Sequence, residues 1–130
     1  MIQQIFATIP ILPIILVTSQ KDLDKSKRVV GYVLPEMGSI TAKAIHIAHE
    51  TTRENLVIIY YPNMLEEEEF DVFSTLIHES VHAWDFTANH FGYGNDTELR
   101  AYALEDMFRQ LVEGYGRMKK RKEKRDASRT

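Results

Sequence analysis

The chain has no cysteine among its 130 residues. Disulfides, thiolate metal sites and thiol nucleophiles are thereby excluded, and any metal must be held by His, Asp and Glu. An uninterrupted apolar run of the ~20 residues that span a bilayer is also lacking. The most apolar stretch, Ile5 to Val17, is broken by Pro10 and Pro13. Neither a basic start nor a small-residue cleavage site marks a secretory signal. The expectation is therefore a cytoplasmic protein, not held in a membrane, with a buried strand near Ile14 to Thr18. No internal repeat is present, and the length suits one domain.

What is present is an ordinary globular balance, 44% apolar and 27% charged. The net charge of −3 is unevenly spread. From Arg117 onward there are eight basic and two acidic side chains, which leaves the body near −9. An acidic body argues against a nucleic-acid-binding surface. Residues 1–116 read as the domain proper, and 117–130 as a basic helix end or a disordered tail. Contact of that tail with an anionic partner is the sharper alternative.

Strand-type runs come first. "RVVGYVL" and "ITAKAIHIA" flank the turn cluster "PEMGS" and suggest a hairpin, while "LVIIYY", stopped by Pro62, suggests a strand covered on both faces. From Asn63 the period becomes helical. Asn63 with Glu66 forms a candidate capping box, and Glu66 to Glu69 place negative charge where a helix start favours it. This helix is expected to reach about Asn89, with Gly92 and Gly94 as candidate ends. A second helix is expected from about Thr97 to Lys122, with Ala101, Leu104, Phe108, Leu111, Val112 and Tyr115 as its apolar stripe. Strands first and two long helices last give an α+β class.

Within the first helix, residues 76–86 read "LIHESVHAWDF". His78 and His82 lie about 40° apart around a helix and one turn apart along it, so both imidazoles can converge on one ion. Glu79 sits about 100° from His78, where a carboxylate can reach a water on that ion as general base. Val72, Phe73, Leu76, Ile77 and Trp84 lie opposite, enough to bury the helix. A third ligand is needed. His90 falls about 12 Å further along the axis and some 80° round, too far to share the ion. Glu98, beyond the glycine break, would meet the histidines if the second helix folds back as an antiparallel neighbour. Asn95 and Glu98 also fit a capping box, although Asp96 or Thr97 offers another cap. Asp85 or Glu105 would suit the orientation of an imidazole N–H. Tyr102, one turn after Glu98, is a candidate for binding the ligand carboxylate or the reaction oxyanion, with Tyr93 and His90 as alternatives. His46 and His49 read as structural, because "HIAHETTRE" has Arg53 where a second motif needs histidine.

"HESVH" followed by "TELRAYALEDMF" resembles the gluzincin metallopeptidases, especially the compact minigluzincins, over roughly residues 56 to 112. The resemblance implies a zincin-like fold in which a small mixed sheet of three to four strands packs on an active-site helix and an antiparallel glutamate helix. It implies Zn2+ on His78, His82 and Glu98, Glu79 as base, and Ala101 as the small residue allowing close helix approach. The interval from His82 to Glu98 is shorter than in large gluzincins. A more distant likeness is to the ImmA-type zincins, whose aromatic-Ala pair matches Tyr102 and Ala103.

The activity expected is hydrolysis of peptide bonds through a zinc-bound water activated by Glu79. The extended peptide or protein substrate would add to a sheet edge near Leu56 to Tyr61. Two readings compete with it: a zincin-like binding or regulatory module without turnover, and a chance pattern on a helical face.

Overall fold

The computed structural model describes residues 1–5, 10–23, 25, 41–48 and 55–129. The elements come in the order expected of an α+β chain. Strands β1 (Ile2–Ile5), β2 (Ile14–Val17), β3 (Lys43–Ala48) and β4 (Asn55–Tyr60) are followed by a 3-10 turn, Met64–Glu66, and by helices α1 (Glu69–Phe91) and α2 (Thr97–Ser128). The sheet is mixed, in the order β1-β2-β4-β3. β2 and β4 run parallel, and the two outer pairings are antiparallel. "RVVGYVL" and its turn, like His49, lie outside the described residues.

β4 is buried on both faces because its side chains alternate between two apolar clusters. Val57 and Ile59 join the main core beneath the helices, whereas Ile58 and Tyr60 meet Val17, Leu23 and Ile47 on the other side. The double burial expected of this run holds, but the run is not an edge. β4 lies between β2 and β3, and β3 is the outermost strand on that side among the described residues. β1 has no counterpart in the sequence reading. Its two glutamines mask the alternation that marks a strand.

The helix starts differ from expectation. Asn63 makes no side-chain cap bond, and the acidic run is divided between the 3-10 turn and the start of α1, with Glu68 as N-cap and Glu69 as first helical residue. Glu66 instead meets Lys122 at 3.5 Å, and Glu69 meets Lys119 at 3.9 Å. Helix α1 ends as expected at Gly92, whose φ of 71° is the left-handed conformation glycine adopts without Cβ strain. Asp96, not Asn95, caps α2, its carboxylate accepting from the Leu99 N–H at 3.0 Å. The basic segment continues α2 to Ser128 as helix.

α2 buries two adjoining flanks. Leu104, Phe108 and Val112, all half-buried, lie with buried Leu111 and Tyr115 on the flank anticipated from the apolar stripe. A second flank, Ala103, Met107, Gly114 and Met118, is fully buried. It faces the sheet and approaches β1 so closely at Gly114 that an added Cβ would lie 2.8 Å from Gln3 Cγ. Ala101 is exposed, so it does not serve as the small residue at the helix interface. No helix among the described residues is long and apolar enough to cross a membrane.

Candidate metal centre

Helical geometry brings His78 and His82 together. Their Nε2 atoms are 3.2 Å apart, both side chains exposed on one face of α1. In the absence of an ion, one ring N–H can donate to the other ring's nitrogen. The same spacing suits a shared metal. Two nitrogens at ~2.05 Å from one ion and 3.2 Å apart subtend about 103° there, near the tetrahedral angle. Rings aimed at that ion would have centroids about 5 Å apart, and they lie 4.9 Å apart.

Glu79 is turned inward, beside the pair and towards β3. It is only 4% exposed, and its Oε2 has no hydrogen-bond partner among the described residues. A buried carboxylate oxygen without a partner is costly, and such orphans mark places where a ligand or water is expected. Ala42 and Ala44 lie across the cleft from it. Their small side chains leave the gap that the histidines and Glu79 overlook.

The second helix stands elsewhere. The contacts Glu66–Lys122, Glu69–Lys119 and Phe73–Tyr115 advance along α1 as they retreat along α2, so the helices are antiparallel as expected. On that register Glu98 is level with about His90, some 12 Å along the axis from His82. The flank is also wrong for sharing an ion. At 100° per residue, His82 points about 180° from Phe73, one of the residues through which α1 meets α2. Glu98 is exposed on the first turn of α2. Among the described residues, no three His, Cys, Asp or Glu side chains gather at one point. The structure thus sets the imidazoles of His78 and His82 together, with Glu79 on the wall of the same cleft, and does not bring Glu98 to them.

The remaining candidates divide similarly. Tyr102 is 61% exposed on α2. Glu105 pairs with Arg109 at 3.1 Å on the outer face of that helix, away from the imidazoles. Tyr93 stacks on Trp84 and donates its hydroxyl to the Pro10 carbonyl at 2.9 Å, fixing the loop after α1. Asp85 is exposed on the histidine side of α1. Ile77, placed among the buried residues by the sequence pattern, is 51% exposed beside His78. His46 is structural as read: its Nε2 meets Asn55 Oδ1 at 3.0 Å and its ring faces Phe86 at 5.5 Å.

Residues that the sequence reading missed line the cleft. Thr41, Ser74 and Thr75 lie at one end and Phe86 at the other. Thr75 also reaches the hydroxyl of Tyr61, which donates to Glu67. Burial, and then that carboxylate, push the phenol's pKa well above its usual range. The helical spacing of Ser74, His78, His82 and Phe86 was a usable signal; the pairing with β3 was not. No family model, curated protein or solved structure matches the chain.

Proposed function

We propose that the chain is a zinc-dependent metallopeptidase of zincin-like design, with His78 and His82 as imidazole ligands and Glu79 as general base. One observation carries the reading. Two imidazole nitrogens stand at a separation that suits a shared ion, beside a buried carboxylate oxygen with no partner among the described residues. Nitrogen donors without thiolates suit zinc, which when bound acidifies a water and polarises a carbonyl.

The chain's own residues do the rest. Glu79, shielded from bulk water, takes a proton from the attacking water and returns it to the leaving amine. Ala42 and Ala44 keep β3 clear of that carboxylate, and the strand can pair with an extended peptide laid along the cleft. Among the described residues the strand placed for such pairing is β3, not the Leu56 to Tyr61 run.

The gluzincin form of the proposal adds Glu98 as third ligand. It requires the first turn of α2 to leave the flank it occupies and reach the histidine side of α1. The positions of Glu98 and Tyr102 favour a second reading, a zincin-like binding or regulatory module that holds metal without turnover. The test is zinc stoichiometry together with hydrolysis of a peptide library. Wild-type protein should bind one zinc and cleave; Glu79→Gln should keep the zinc and lose at least the roughly 10²–10⁴-fold that general-base catalysis supplies. Zinc binding without cleavage by the wild type selects the module. Absence of zinc uptake, unaltered by His82→Ala, refutes both.

A further inference from the structure

Two cavities, each of about 310 Å³, meet at the centre of the cleft and share Ala42, His78 and Glu79 as walls. Their outer ends differ in chemistry. One is closed by Thr41, Ser74 and Thr75, all hydroxyl side chains. The other is closed by Ala44, His82 and Phe86, with Lys43 at its rim. The Phe86 ring is held in place by the facing ring of His46, itself tied to Asn55. Each cavity is at the small end of the range for ligand pockets.

The dimensions suit a peptide. From Ser74 to Phe86 the helix advances about 18 Å, the length of five or six extended residues. Thr41 accompanies Ser74 and Thr75 at one end and Ala44 accompanies Phe86 at the other, so β3 and α1 run in the same sense along the cleft. β3 is the outermost strand on this side among the described residues.

We infer that the cleft selects an extended peptide whose bond at the His78–Glu79 crossing joins two residues of opposite character. A bulky apolar side chain sits against Phe86 and Ala44, and a small hydroxyl-bearing one sits among Thr41, Ser74 and Thr75. The inference rests on the cleft being the peptide site of the proposed hydrolase, and it deepens that reading by naming the substrate class. Only one of the two mixed orders fits, because the two ends of the cleft are not interchangeable.

The test is binding of fluorescently labelled decapeptides to Glu79→Gln protein, with and without zinc. The peptides are identical except for a central Leu-Ser, Ser-Leu, Leu-Leu or Ser-Ser pair. One mixed order should bind about tenfold or more tighter than each of the others, the scale set by burying or exposing one leucine side chain. Phe86→Ala should remove the preference for leucine and leave that for serine; Phe86→Leu, which keeps the core filled, should weaken the preference for leucine. Ser74→Leu, at an exposed position, should remove the preference for serine alone. Equal binding of all peptides, no binding, or variants that shift every peptide alike would overturn the inference. A clear preference in a protein that neither takes up zinc nor hydrolyses would refute the metallopeptidase and leave the peptide cleft standing. Equal binding by a protein that does hydrolyse would do the reverse.

Discussion

Phe73 of α1 and Tyr115 of α2 meet edge to face, with ring centroids 6.1 Å apart and planes at 88°. This contact decides which flank of α1 is covered and which stays open. His82 lies on the opposite side of the helix, so the second helix backs the candidate site and does not close it.

The placement of Glu98 leads to a direct prediction about metal binding. Glu98→Ala should change zinc affinity by no more than about threefold. Removal of either imidazole should cost more than the roughly 10–100-fold that loss of an outer-shell partner costs. Titration with a competing chelator measures both. A large loss in Glu98→Ala would show that α2 shifts to complete the site.

Glu79 should be a burden on the metal-free fold. Its Oε2 is buried with no partner among the described residues, and an unsatisfied polar group of this kind costs about 1–3 kcal/mol. Glu79→Leu should therefore raise the stability of metal-free protein by about that amount in urea unfolding, while abolishing hydrolysis. Lower stability in the variant would mean that the carboxylate is solvated in solution.

Two glycines of α2 should respond oppositely to alanine. At Gly116 an added Cβ meets nothing within 4 Å, so Gly116→Ala should stabilise by about 0.5–1 kcal/mol through helix propensity. At Gly114 the Cβ would press on Gln3, whose Oε1 accepts from Arg117 Nε. Gly114→Ala should destabilise by about 1 kcal/mol, because crowding exceeds the propensity gain. Thermal unfolding of the pair provides the comparison.

The Asp22 carboxylate should make stability depend on acid. It accepts a hydrogen bond from the Met1 amine at 2.8 Å, and this bond holds its pKa below the ordinary 3.8. A carboxylate whose pKa is lowered by folding contributes fully above its ordinary value, and the contribution is lost as pH falls through the lowered one. Asp22→Asn should cost about 1–2 kcal/mol at pH 7, and the gap between variant and wild type should narrow below pH 3.8. Urea midpoints across pH 2 to 7 would show it. A gap that does not narrow at all as the pH falls would mean that the loss is not electrostatic.

Local periodicity was enough to specify much of this molecule. The sequence by itself determined that His78, Glu79 and His82 share one stretch of helix, that the glycine break at Gly92 or Gly94 ends it and that the 56–61 run is buried on both faces. These features depend on residues within a turn or two of each other, or on the alternation of a single strand. Only the tertiary structure decided that β3 and not β4 is outermost among the described residues, that Ala103, Met107 and Gly114 form a second buried flank of α2, and that Glu98 stands away from the histidines. Those outcomes depend on how volumes fit between segments distant in sequence: Phe73 against Tyr115, Gly114 against Gln3, and Ala44 across from Glu79. A one-dimensional pattern can state that a helix has an apolar side, but the packing partner decides which neighbour covers it.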